Sequence, residues 1–168
     1  MSYFLRRNEQ NLFHGKFSIF PEDLITHAIS TRISGVSAAP YDSLNLALHV
    51  GDNSDDVLAN REKFAKSLGF NLSDIVTPNQ IHGDKIFRAE EIHRGRGSKS
   101  YADAISETDA LITNVKNLPL MLCFADCVPI LFADVENCAV GLAHGGWKGT
   151  LNKIAAKTFL AMRENFGT

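Results

Sequence analysis

Three short apolar runs, residues 118–124, 128–133 and 138–143, crowd the last third of the chain. Each is strand-length, and turn-forming residues separate them, Asp134-Val135-Glu136-Asn137 being the clearest case. Buried strands in hairpin connection are the solution such a pattern permits. A glycine-rich loop follows, His144-Gly145-Gly146-Trp147-Lys148-Gly149. Beyond it Leu151, Ile154, Ala155, Phe159, Met162 and Phe166 recur with the period of one amphipathic helix. An earlier helix is signalled by Ser54 as N-cap, with Asp55 and Asp56 in the first turn, where the helix dipole favours anions. Its apolar stripe is Val57, Leu58, Phe64, Ala65 and Leu68, with Gly69 as the stop. Helices intermixed with hairpin-linked strands predict an α+β fold of mixed β-sheets packed with helices, in a single domain over residues 1–168.

Between these elements the pattern is less regular. Leu44, Leu46, Leu48 and Val50 alternate with Asn45, Ala47 and His49, which predicts a half-buried strand. Residues 74–88 read as strand and turn broken at Pro78, and residues 108–113 as a short strand. The stretch 89–103, with Arg94, Gly95, Arg96, Gly97 and Lys99, reads as a long exposed loop able to act as a lid.

Composition narrows the class. A chain of 168 residues, 45% hydrophobic and 21% charged, can bury a core without disulfide staples. Seventeen Lys and Arg against nineteen Asp and Glu leave a net charge of −2. That excludes the basic field of a dedicated nucleic-acid binder. No apolar run approaches the roughly 20 residues that span a bilayer. The first residues carry charge without an apolar stretch behind them, unlike a secretory signal. A cytoplasmic protein that binds neither membrane nor nucleic acid is expected.

Three cysteines, Cys123, Cys127 and Cys138, do not make a disulfide framework in that compartment. Cys138 reads as a buried, inert strand residue, and Cys123 as a possible same-face neighbour of Cys127. The chemistry-bearing candidates are His82, Cys127 and His144, each at a strand end or in the turn beyond it. Two imidazoles and a thiolate suit zinc, with the fourth coordination position left for water. The same residues also suit a metal-free reading, with Cys127 as nucleophile, His82 or His144 as base and Asp126 or Asp109 as its orienter. Copper oxidase chemistry is disfavoured. The six histidines, His14, His27, His49, His82, His93 and His144, include no His-x-His pair. Arg32, Arg61 and Lys148 sit beside candidate site segments, and the loop at 145–149 leads into a helix N-terminus suited to an anion.

Several motifs occur in order: Thr31-Arg32, Gly35-Val36-Ser37, Ser43-Leu44-Asn45-Leu46, His49-Val50-Gly51-Asp52, Asn60-Arg61, Gln80-Ile81-His82, Thr108-Asp109-Ala110-Leu111-Ile112-Thr113, Ala125-Asp126-Cys127-Val128-Pro129 and Ala143-His144-Gly145-Gly146-Trp147-Lys148-Gly149. From about Thr31 onward the chain resembles the purine nucleoside phosphorylase family once called multicopper polyphenol oxidase, or laccase-domain proteins. That family includes a bacterial peptidoglycan-editing factor. The resemblance implies zinc on His82, Cys127 and His144. It also implies phosphorolysis of adenosine, inosine and methylthioadenosine, together with adenosine deamination. An alternative is a Cys/His or zinc hydrolase that edits peptidoglycan precursors; polyphenol oxidation is the weakest reading. Gly145, Lys148 and Ala125 depart mildly from the family pattern. Family members continue through further strands past the last helix, so a C-terminally truncated domain is expected.

On this reading Cys127, His82, His144 and Asp126 form the catalytic set, with Asp126 or Asp109 as the acid. Arg61 and Lys148 would hold phosphate, and Asn45 and His49 would contact the nucleoside. Partners would be nucleoside and phosphate, with either a monomer or a homodimer compatible with the sequence.

Overall fold

The computed structural model describes residues 2–8 and 11–168. The fold is α+β, with two sheets and helices in two compact units, residues 1–72 and 73–168.

In the first unit, β1 (Tyr3–Arg7), β2 (Phe13–Phe17) and β3 (Ile29–Ser30) form an antiparallel sheet in that order. Helix α1 (Ser54–Ser67) is capped by Asn53 rather than Ser54. Asn53 Oδ1 accepts from the backbone N–H of Asp55 at 2.8 Å and of Asp56 at 3.3 Å. Val57, Phe64 and Ala65 bury the expected stripe, and Phe64 joins Leu12 and Leu44 in a core cluster.

The strand expected over 44–50 is absent; this segment is irregular. Leu44 is buried and His49 exposed, but the alternation does not carry through: Leu46 and Leu48 are half-buried like Asn45 and Ala47, Val50 is exposed, and among the described residues no partner strand supplies a ladder. Asn45 bends the chain locally, its Oδ1 accepting from Ala47 N at 3.0 Å and its Nδ2 donating to Asp52 Oδ2 at 2.9 Å. Short polar side chains compete with a β-ladder in this way. Two residues of α1 take the place of the missing strand. Asn60, fully buried, donates from Nδ2 to Ser43 O, Asn45 O and Ser37 Oγ, and accepts from Val36 N. Arg61, also buried, donates from Nε to Leu46 O at 2.6 Å.

His14 and His27 are buried in the first unit, and Phe17 N donates to His27 Nε2 at 2.8 Å. Burial, with Lys16 adding to it, lowers both imidazoles below their ordinary range. The unfolded chain therefore binds more protons than the folded one near pH 6. This contribution to stability is complete above the unfolded imidazole value and is lost as pH falls through and below it. Unfolding free energy measured by denaturant between pH 7.5 and 5 should fall accordingly. In His27→Gln, which keeps an acceptor for Phe17 N but cannot titrate, the slope should flatten.

In the second unit, β4 (Ile86–Arg88), β5 (Ala110–Thr113), β6 (Val128–Asp134) and β7 (Ala139–Gly145) form a mixed sheet ordered β4-β5-β7-β6. Strand β4 is parallel to β5, and the other pairs are antiparallel. The starts of β4, β5 and β6 and the end of β7 therefore share one end of the sheet. Helix α3 (Ile154–Phe166) packs Ile154 and Met162 against Ala110, Ala143, Ile112 and Ala139. Gly141 permits this approach, since a Cβ there would lie 2.9 Å from Met162 Sδ. A second cluster gathers Val76, Ala89, Ile105, Leu111, Leu118 and Leu122.

Three further expectations change. Residues 118–124 and 75–80 pair through one isolated bridge, Val76 with Leu120, and Pro78 bridges instead to Ile105. Pro78 and Pro119 lack the N–H a longer ladder would need. The last amphipathic helix is two helices, α2 (Trp147–Leu151) and α3, separated where Lys153 adopts φ 62°. Leu151, assigned to the buried stripe, is exposed, as is Phe159. Residues 89–103 are tied down rather than a loose lid. Arg96 O accepts from Thr77 N, Arg96 Nε donates to Asp103 O, and Arg94 bridges Glu91 and the Asn117 carbonyl. Ser98 and Ala89 are buried. Cys138 is exposed, in the turn before β7, and not a strand residue.

Candidate metal centre

The sheet end shared by β4, β5, β6 and β7 is where the chemistry gathers. His144 is the penultimate residue of β7 and Cys127 immediately precedes β6. The register pairs Val128 with Gly145, so the Cys127 side lies beside the His144-Gly145-Gly146 corner. His82 comes from the turn before β4, with a left-handed φ of 60°, uncommon for a residue with a side chain. One ligand atom from each of His82, Cys127 and His144 lies within 4.8 Å of the others. The His82 and His144 rings meet at 72° with centroids 4.7 Å apart. Among the described residues no second group of three His, Cys, Asp or Glu side chains gathers in this way.

Burial grades across the three. His144 is buried, Cys127 half-buried and His82 exposed, so the group has a protein side and an open side. That suits a cation held by three side chains with a fourth position accessible. The donor set of two imidazoles and a thiol fits a borderline-soft divalent ion.

Gly146 keeps the space between the ligands clear. A Cβ there would lie 3.2 Å from His82 Cδ2 and 3.4 Å from Cys127 Sγ. Gly149 permits the first turn of α2 to close over the His82 turn, since a Cβ there would meet Gly83 O at 2.7 Å. The backbone of Gly146, φ −72° and ψ 166°, is open to any residue. Gly146→Ala should therefore crowd the ligands without straining the chain. Competition against a chromophoric chelator should show metal affinity reduced about tenfold, with the melting temperature of the metal-free protein nearly unchanged.

Two side chains outside the three candidate ligands tie the segments that carry them together. Gln80 closes a reciprocal pair with the backbone of Cys123, donating from Nε2 to its carbonyl at 2.9 Å and accepting its N–H at 2.8 Å. This ties the segment leading to His82 to the segment leading to Cys127. Asp109, fully buried at the start of β5, places Oδ1 2.8 Å from His144 Nδ1. The same carboxylate accepts from the backbone N–H groups of Ile81, His82 and Gly83. Burial alone would raise the Asp109 carboxyl, but the hydrogen bonds from His144, Gly83 and Ile81 outweigh it and hold it below the usual range. Gln80 stands in the Gln80-Ile81-His82 motif, but its clamp to Cys123 is not legible there, because both of its partners are main-chain groups.

The other sequence-assigned residues fall as follows. Asp126 is exposed next to Cys127. Lys148 is exposed on α2, with Nζ 5.5 Å from the Trp147 ring centroid. Asn45, His49 and Arg61 belong to the first unit, where Asn45 and Arg61 hold the 44–47 backbone.

Comparison with known proteins places this arrangement. Purine nucleoside phosphorylase YlmD of Bacillus subtilis is 40% identical over 139 residues, 83% of this chain and 50% of its own length. The purine nucleoside phosphorylase of Deinococcus radiodurans is 40% identical over 141 residues, 82% of this chain and 50% of its own. The chain thus spans about half the length of these curated relatives. The crystal structure of the Bacillus licheniformis hypothetical protein YfiH superposes with a TM-score of 0.87 at 38% identity, covering 96% of this chain and 58% of that one. That of YlmD from Geobacillus stearothermophilus gives 0.80 at 40% identity, over 81% and 50%. Residues 26–168 match the family described as multi-copper polyphenol oxidoreductase laccase, and it is to this family that the chain belongs.

Proposed function

We propose that this chain carries the metal centre of a zinc-dependent purine nucleoside phosphorylase that also deaminates adenosine, with adenosine, inosine and methylthioadenosine as substrates. The observation that carries the reading is the convergence of His82, Cys127 and His144 within 4.8 Å around the gap left by Gly146. The names of the relatives support the substrate class.

Zinc bound there would supply a fixed positive charge and a polarised water at neutral pH. His82 and His144 offer imidazole nitrogens, and Cys127 offers a thiolate whose charge partly offsets that of the ion. In phosphorolysis a phosphate oxygen bonds to the sugar carbon as the glycosidic C–N bond breaks, and the purine leaves with a proton. In deamination water adds at the amine-bearing carbon and ammonia departs. Asp126, exposed beside Cys127, is the proposed proton carrier for either leaving group. Lys148, on the first turn of α2, is the proposed contact to phosphate. The substrate roles assigned to Asn45, His49 and Arg61 form a separate proposal, tested by a raised KM in His49→Ala.

The test is incubation with adenosine and phosphate, with chromatography of adenine and inosine. Phosphate-dependent adenine formation should be lost on chelation and restored by zinc; inosine marks deamination. Turnover that survives chelation but not Cys127→Ala would instead establish the metal-free cysteine nucleophile, and no product beyond a Cys127→Ala control would favour the Cys/His or zinc hydrolase of the cell-wall-editing alternative.

A further inference from the structure

The Asp109 carboxylate is saturated in an unusual way. Its two oxygens face four donor positions. Oδ1 faces His82 N at 3.0 Å and His144 Nδ1 at 2.8 Å, and Oδ2 faces Ile81 N at 3.1 Å and Gly83 N at 2.8 Å. One buried group thus touches both histidines of the centre, one through its ring and the other through its backbone. The main chain adds to the junction, since His144 N donates to Asp109 O at 2.8 Å.

From this geometry we infer that Asp109 is a positioning residue that presets the centre before any cation arrives, holding His144 as the Nδ1–H tautomer and the His82 turn in its left-handed conformation. The inference rests on the metal reading above, but both of its consequences exist in the metal-free protein. Three backbone donors already occupy the carboxylate, and its remaining acceptor position is met by a hydrogen bond from the imidazole, which keeps its own proton. With Nδ1 carrying the hydrogen, Nε2 is left bare as the ligand atom. The three N–H groups of residues 81–83 point inward to one acceptor, which is what holds His82 at a φ that a side chain rarely adopts.

Asp109→Asn separates this role from bulk. The amide keeps the shape but replaces one acceptor oxygen with an NH2. In one orientation the NH2 confronts Ile81 N and Gly83 N. In the other it confronts His82 N and the His144 ring, and drives the ring to its Nε2–H tautomer. The first orientation costs two backbone donors their acceptor; the second costs His82 N its acceptor and reverses the His144 tautomer.

The experiment uses 15N-histidine-labelled chain stripped of metal. Long-range 1H–15N spectra should show His144 wholly as Nδ1–H, and hydrogen exchange should show the Ile81, His82 and Gly83 amides protected. In Asp109→Asn that protection should fall, the tautomer should become mixed or reversed, and zinc affinity measured against a competing chelator should drop ten- to a hundredfold. The wild-type readings need no variant, so a misfolded Asp109→Asn does not spare the inference. An Nε2–H tautomer in the metal-free wild type overturns it. So do freely exchanging 81–83 amides, or unchanged zinc affinity in a folded Asp109→Asn. The expected tautomer and protection without zinc uptake would uphold the inference and sink the zinc chemistry proposed above.

Discussion

Cys127→Ser should reduce zinc affinity on the order of a thousandfold, about 4 kcal/mol. Of the three candidate ligands Cys127 alone can present a charged sulfur, and a serine hydroxyl does not ionise near neutral pH to replace it. The substitution is nearly isosteric, and Cys127 is only half-buried, so the fold should survive. Equilibrium titration against a chromophoric chelator measures the loss, and circular dichroism checks the fold. If Cys127→Ser binds zinc as tightly as the wild type, the thiol is not a ligand and the centre reduces to two imidazoles. Gly146→Ala perturbs the same centre by crowding rather than by removing a donor, so its effect should be much smaller.

The second large effect is on stability and falls on Asn60. This fully buried amide replaces a missing β-strand, serving the backbone of Val36, Ser43 and Asn45 and the hydroxyl of Ser37. Asn60→Asp keeps the size but removes every donor, setting carboxylate oxygen against the carbonyls of Ser43 and Asn45. Buried acceptors left facing a charge cost about 3 kcal/mol or more. For a chain of this size that corresponds to a drop in melting temperature of roughly 10 °C. Differential scanning calorimetry of the wild type, Asn60→Asp and Asn60→Ala would measure it, with the Asp variant lowest. A shift within a degree or two would mean that the 44–47 backbone is held by something other than this side chain.

The contrast between Asn60 and His82 shows what one dimension can and cannot carry. The alternating 44–50 segment has the period of a strand, yet beyond Leu44 neither the alternating burial nor the ladder that period implies is formed. Whether a ladder forms depends on a partner strand, and here two side chains of α1 satisfy the carbonyls instead. The same limit applies to the last helix. Its stripe is continuous in sequence, yet the left-handed Lys153 breaks it, and Leu151 is exposed. The strands expected over 128–133 and 138–143, by contrast, form as Val128–Asp134 and Ala139–Gly145, because each run is apolar, strand-length and joined to the next by a tight turn. His82, Cys127 and His144 were legible as candidates because an imidazole followed by glycine, or a thiol, at a strand end is chemically distinctive wherever it falls. Asp109 was legible only as one of two acids, since nothing in its neighbours marks a carboxylate that faces four donors.

By itself the sequence determined the α+β class, the main hairpin and the family, and it singled out the three candidate donor residues, all from local period, composition and motif order. Their meeting was decided only by the tertiary structure. Antiparallel pairing of β5 with β7 and of β7 with β6 brings the start of β5, the end of β7 and the start of β6 to one end of a sheet. Strand order and direction are set by long-range packing, which no local pattern encodes. The buried polar groups that lock the site, Asp109 and Gln80, bond to backbone atoms far away in the chain, and main-chain atoms are the same at every residue.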